Sequence, residues 1–368
     1  MFEFNQDEIA EKKRRIHSLL EQRNLSAVYL KKSSNFAWVT AGGYSIVGLG
    51  TEVGIAGVLI TRNKEYVICN NIETLRLERE EGVVRQGYEI VSFPWNEDRE
   101  AKIVADLAGG AVGADMGFPG ATDVSSAINP LRYSLTPWEV ERLKVQALET
   151  SRIAEETALG IRPGEEERAV VGRLSEKLWK AGMDFIVAFC AADERIGLYR
   201  HAIATDKKIE KRAMISVNSR KRGLIVSITR FVQFGKLPAD LAKRYEDNVY
   251  VDSAMMAATI PGRPASEVFA AALKAYAEKG YPGEYRLHHQ GGSIGYFGRD
   301  YKATAATKDI IQENQAFTWN PSITGVKSED TMLATSAGPI VLSTPVLFPE
   351  FKASYGSYNF SRPAIMEL

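Results

Sequence analysis

The sequence predicts two domains: an α/β domain over residues 1–135, and an α+β domain over 136–368 whose curved antiparallel sheet carries helices on its outer face. Three observations lead there. A chain of 368 residues exceeds what one hydrophobic core usually holds. Short apolar runs alternate with helical spacing up to residue 135. After Thr136 a pattern of two helices followed by strand material occurs twice, which predicts two halves related by a pseudo-two-fold.

In the first domain, Ile9, Ile16, Leu19 and Leu20 recur at helical spacing among charged residues, predicting an amphipathic helix over 7–23. Apolar runs at 27–30, 54–60 and 66–69 predict strands, the last two joined by the turn Thr61-Arg62-Asn63-Lys64. Helical patterns at 72–81 and 97–108 alternate with strands at 88–93 and 111–114. No Gly-x-Gly-x-x-Gly follows the first strand, which argues against a dinucleotide site.

Thr136-Pro137-Trp138-Glu139 opens the second domain as a helix start. The Thr hydroxyl caps, Pro at the first helical position lacks the N–H that would be orphaned, and Glu reaches back to the cap. Helices over 138–159 and 165–181 precede strands at 185–190, 214–218 and 223–231. Helices over 238–258 and 266–279 precede strands at 285–289, 316–319 and 331–334.

Forty-six basic residues balance forty-six acidic ones, so the basic surplus of a nucleic-acid-binding domain is missing. Cys69 and Cys190 lie far apart in apolar surroundings and are expected as buried free thiols. No apolar run reaches the length of a membrane span, and Met1-Phe2-Glu3-Phe4-Asn5 does not read as a signal peptide, so no membrane partner and a cytoplasmic location are expected.

Chemistry-bearing residues concentrate between Glu284 and Asp330. His288-His289-Gln290-Gly291-Gly292-Ser293-Ile294-Gly295 is followed by Arg299, Asn320-Pro321 and Lys327-Ser328-Glu329-Asp330. A concave sheet face is where a small ligand would sit. The residues able to meet there are His201, Arg222, Arg230, His288, Arg299, Asn320, Lys327 and Glu329.

Arg222-Gly223-Leu224 running into Ser227-Ile228-Thr229-Arg230, the 288–295 segment, and Gly325-Val326-Lys327-Ser328-Glu329-Asp330-Thr331 resemble the Xaa-Pro aminopeptidase, prolidase and creatinase superfamily. The resemblance covers nearly the whole chain and implies a smaller creatinase-type N-terminal domain before a "pita-bread" catalytic domain. Its metallopeptidases hold two metal ions with two Asp, one His and two Glu. Those positions fall here on Ser216, Ser227, Gly292, Asn320 and Glu329. Only Glu329 keeps its ligand, so no two-metal centre and no cofactor are expected. Creatinase, in the same superfamily, hydrolyses a carbon–nitrogen bond with a histidine as acid and base, and His201 resembles that residue in position.

His201, His288 and Glu329 are therefore the candidate catalytic residues, with Arg222, Arg299, Gln290, Asn320 and Lys327 as substrate-binding candidates. Strand alternation over 285–289 places His288 and His289 on opposite faces, with His288 in the site. Arg230 is expected to brace the sheet. Three readings stand open: a metal-independent hydrolase of a small carboxylate-bearing amide, amidine or dipeptide-like substrate; a metal-dependent Xaa-Pro aminopeptidase or prolidase; and a non-catalytic pseudopeptidase binding a ligand or protein partner. The resemblance also implies a homodimer.

Overall fold

The computed structural model describes residues 3–368 and separates into two compact units. The first comprises Met1–Arg132 with Arg222–Leu224, and the second Tyr133–Lys221 with Ile225–Leu368.

The first unit runs α1 (Gln6–Gln22), β1 (Ala27–Lys32), α2 (Ser33–Val39), β2 (Val53–Thr61), β3 (Glu65–Asn70), α3 (Thr74–Arg79), β4 (Glu89–Phe93), α4 (Glu100–Ala108), β5 (Val112–Ala114), β6 (Ala121–Asp123) and α5 (Ser125–Ile128). Its six strands form one mixed sheet in the order β4-β3-β2-β1-β5-β6. The β2–β3 hairpin is antiparallel, while β1–β5 and β3–β4 are parallel. Tyr29, Leu59, Ile68 and Val104 lie in the core that α4 covers. The expected helices over 72–81 and 97–108 are shorter than their apolar patterns. Residues 72–73 instead form a turn in which the Asn70 side chain accepts the Ile72 N–H, and residues 97–99 precede α4 as irregular chain.

In the second unit α6 (Pro137–Leu159) begins with the expected capping box: Glu139 Oε2 accepts the Thr136 N–H at 2.7 Å, and Thr136 Oγ1 accepts that of Glu139 at 3.4 Å. Then come α7 (Glu167–Lys180), β7 (Asp184–Ala192), α8 (Arg195–Leu198), β8 (Arg212–Lys221) and β9 (Leu224–Gln233). The second half supplies α9 (Ala239–Ala258), α10 (Ala265–Glu278), β10 (Gly291–Ile294), β11 (Tyr301–Lys302), β12 (Gln315–Trp319), β13 (Ser322–Ile323), β14 (Val326–Lys327), β15 (Asp330–Ala334) and β16 (Ile340–Val341). The 348–368 tail forms the hairpin β17 (Glu350–Tyr355) and β18 (Tyr358–Pro363), then β19 (Met366–Glu367), which adds in parallel to β9.

The curved sheet consists of two hydrogen-bonded segments, β19-β9-β8-β7 and β11-β10-β12-β15-β16. They join where Thr229 N donates to Glu329 O at 3.0 Å, Ile225 N donates to Gly295 O at 2.8 Å, and Ser227 N donates to Thr331 Oγ1 at 2.9 Å. Every position of β9 is buried, so the strand is covered on both faces. Phe231, Tyr245, Met255, Met256, Phe317 and Trp319 belong to the core between this sheet and the helix pair α9–α10.

A strand over 285–289 does not form. Residues Glu284–Arg286 make one 3-10 turn, and the Gln290 side chain donates to His288 O at 2.6 Å, taking up a carbonyl that a ladder would need. The chain then enters β10 through Gly291 at φ 101°, a conformation that L side chains rarely adopt.

Arg230 bridges the join. Its Nε donates to Glu155 at 2.8 Å, Nη1 to Asp330 at 2.9 Å, and Nη2 to Ser343 O at 2.8 Å, with the side chain fully enclosed. Glu155 in turn accepts the backbone N–H groups of Val346, Leu347 and Phe348. Removing one member of such a network strands the other charges in a low dielectric. Arg230→Met is therefore expected to cost about 3–5 kcal/mol, measured by urea denaturation against the unchanged protein.

Candidate active site

The centre of the site is the Glu329 carboxylate, between β14 and β15 and only 3% exposed. Lys327 Nζ donates to its Oε2 at 2.7 Å, and Thr229 and Ser216 hydroxyls donate to the same oxygen at 2.8 and 3.0 Å. Arg299 Nη2 reaches Oε1 at 3.4 Å. Burial, the largest single influence, pushes the carboxyl upward, but the charges of Lys327 and Arg299 and the hydrogen bonds from Lys327 and Thr229 outweigh it and hold it at about 2. Two cations against one carboxylate leave a surplus positive charge.

These contacts follow from local sequence. Lys327 ends β14 and Glu329 follows in the irregular link to β15, which leaves their side chains in contact at 2.7 Å. Thr229 stands on β9 opposite Glu329 through the backbone bond that joins the sheets. Sequence reading placed Thr229 only within a motif; its position two residues after Ser227 is the signal that it shares the Ser227 face.

Beside this cluster stand three imidazoles. His288 Nε2 faces His201 Nε2 at 3.2 Å. The ring centroids are 5.0 Å apart for His201–His288, 6.0 Å for His201–His289 and 4.4 Å for His288–His289. The expectation that His288 and His289 point to opposite faces is thus overturned. They lie in the irregular segment before β10, where strand alternation does not operate. Burial foremost, then the Lys327 charge, pushes His288 down to about 2. Burial and Arg299 push His289 down to about 3, and burial with Lys327 lowers the more exposed His201. The neutral form is thus favoured in all three rings.

Several other expected site residues are committed elsewhere. Gln290 is buried with both ends of its amide used, accepting from Tyr276 Oη at 2.8 Å and donating to His288 O at 2.6 Å. Arg222 groups with the first unit, where its guanidinium pairs with Glu81 at 3.0 Å and its backbone N–H donates to Tyr44 Oη at 2.8 Å. Ser227 Oγ and Asn320 Oδ1, by contrast, are buried without hydrogen-bond partners among the described residues. Tyr199, Arg200, Met214, Val326, His288 and Lys327 line a small depression.

The two-metal centre implied by the superfamily resemblance does not fit this donor set. Ser216, Ser227 and Asn320 bring neutral oxygens, and Glu329 is already neutralised by Lys327 and Arg299. At the remaining ligand position, a Cβ built on Gly292 would lie 1.9 Å from Tyr301 O, because β10 and β11 pair tightly there. No imidazole stands at Gly292 unless the β10–β11 pairing opens. Gly292→Ala is accordingly expected to lower stability by about 2 kcal/mol or more, read as a shift of the urea midpoint; an unchanged midpoint would show that the strands part freely.

Comparison with known proteins places these observations in a family. The model of metallopeptidase family M24 matches residues 142–336, more than half of the chain. Over 245 residues the chain is 26% identical to the Xaa-Pro dipeptidase of Lactobacillus helveticus, covering 60% of this chain and 63% of that protein. Over 235 residues it is 23% identical to an uncharacterized peptidase of Staphylococcus aureus (strain MW2), covering 60% of this chain and 65% of that protein. The chain thus spans just under two thirds of the length of the curated relatives it matches. Among solved structures, an Xaa-Pro dipeptidase from Bacillus anthracis superposes with a TM-score of 0.77 at 21% identity, over 98% of this chain and 100% of that one. The chain belongs to metallopeptidase family M24 and has the pita-bread fold.

Proposed function

We propose that this chain hydrolyses a carbon–nitrogen bond in a small carboxylate-bearing amide, amidine or dipeptide-like substrate without the two-metal centre, using His201 as acid and base. One observation carries the reading: the Lys327 ammonium sits 2.7 Å from Glu329, the one family ligand retained, while His201 and His288 face each other at 3.2 Å beside it. An internal cation takes the charge-compensating place of metal, and paired neutral imidazoles supply the proton carrier.

The surplus positive charge of Lys327 and Arg299 attracts a carboxylate, which supports the substrate class. Ser227 Oγ and Asn320 Oδ1 are further buried polar groups with no hydrogen-bond partner among the described residues. In the neutral histidine pair one facing nitrogen carries a proton. When His201 donates its Nε2–H to His288, its Nδ1 lone pair is left to take a proton from water as the oxygen attacks the carbonyl or amidine carbon. The imidazolium then returns that proton to the leaving nitrogen as the C–N bond breaks. Lys327, already bonded to Glu329 and Ser216, stabilises negative charge on the tetrahedral intermediate by field and hydrogen bonding.

Turnover assays over Xaa-Pro dipeptides, amidino acids and N-acyl amino acids test this, run with chelator and with His201→Ala. The expected outcome is a chelator-insensitive rate that falls by about 100-fold or more in the variant. Because its surroundings lower His201 from 6.5, the base form persists at and below pH 6.5, so the rate is expected to hold there and fall only at more acid pH. Absence of any His201-dependent rate would leave a non-catalytic binding protein; a rate requiring added Mn²⁺ or Co²⁺ would restore the two-metal reading.

A further inference from the structure

Three neutral imidazoles gathered in one place are a ligand set in their own right. Each of His201, His288 and His289 offers one nitrogen, and the three nitrogens lie within 4.8 Å of one another. We propose that this cluster binds a single transition-metal ion of borderline softness, Zn²⁺, Ni²⁺ or Cu²⁺, at a site distinct from the lost two-metal centre.

The geometry is close to what such an ion requires. Zinc–nitrogen bonds of about 2.0–2.1 Å at a tetrahedral angle place two ligand nitrogens about 3.3 Å apart. His201 Nε2 and His288 Nε2 stand 3.2 Å apart, so an ion replaces the proton between them with little ring movement. His289 has a nitrogen to bring closer: its Nδ1 holds only the Gly291 N–H, at 3.3 Å. The cluster is also an unfinished hydrogen-bond network, since His288 Nδ1 is buried with no partner. A set of imidazoles with no carboxylate of its own selects zinc, nickel or copper over magnesium or manganese.

Charge sets the conditions. Lys327, Arg299 and Lys302 act on these histidines as positive neighbours, and Glu329 as the negative one. A dication placed here is repelled by the first three, so its open position takes an anion, hydroxide or a carboxylate. On binding, the single His201 proton leaves Nε2 and returns through solvent to the Nδ1 lone pair, giving the neutral tautomer that a ligating Nε2 requires. That is the lone pair assigned to the base, so on the hydrolytic reading above the bound ion is an inhibitor. Only this consequence rests on that reading; binding of the ion does not.

The test is titration of the chelated, dialysed full chain with Zn²⁺ by calorimetry and with Co²⁺ followed by its visible spectrum, at pH 7.5. The expected result is one ion per chain. Since losing a mere supporting hydrogen bond weakens metal sites 10–100-fold, His201→Ala or His288→Ala is expected to weaken binding by at least ~100-fold. Glu329→Gln is expected to retain the ion, with circular dichroism confirming that each variant folds. His201→Ala, at an exposed position, serves alone if the buried variant unfolds. No binding, or binding that both histidine variants leave unchanged, overturns the site and leaves the hydrolytic reading to its own assay. Two ions per chain lost together in Glu329→Gln would overturn both.

Discussion

The ion pair between Lys327 and Glu329 is the constraint on which the site depends. A carboxylate that is 3% exposed does not stay ionised without cations, and here both come from the chain itself. Once Lys327 lies at 2.7 Å and Arg299 at 3.4 Å, the charge that would offset a metal pair is spent. Serine at 216 then makes physical sense. A second carboxylate there would compete for Lys327, whereas a hydroxyl donates to Glu329 and accepts from the ammonium.

Around that pair the backbone is held from two directions. Arg230 ties Glu155 on α6 to Asp330, the residue after Glu329, and Arg362 from the tail hairpin reaches Asp252 at 2.5 Å, Ser328 at 2.8 Å and Asp330 at 3.0 Å. Asp330 is thus the shared anchor of two fully buried arginines, and Lys327 to Asp330 cannot drift without breaking several charged bonds. This scaffold is made of fully buried ion pairs separate from those that hold the Glu329 carboxylate.

Much of this was legible in the sequence. The capping box at Thr136 and the doubled pair of helices rest on local chemistry and periodicity, which act over a few residues and leave a direct imprint. Strand alternation predicts Lys327 and Glu329 on one face, and they do meet, although Ser328 and Glu329 form an irregular link between β14 and β15. What escaped depends on distant partners. Arg222 reads as a cleft cation until Glu81, far earlier in the chain, is seen to hold it. Gln290 reads as a site amide until Tyr276 on α10 is found on its oxygen. His289 was turned outward by assuming a strand, yet Gly291 at φ 101° and the irregular turn before it bring all three rings together.

In the proposed hydrolysis, the Lys327 ammonium against Glu329 takes the place of a two-metal centre. The most direct measurement is anomalous diffraction from crystals soaked in Mn²⁺, collected at the manganese edge, with the electron density around Glu329 at high resolution. The expected result is the Lys327 ammonium bonded to Glu329 and no anomalous peak against that carboxylate. A pair of peaks bridged by Glu329, with Lys327 swung away, would contradict it.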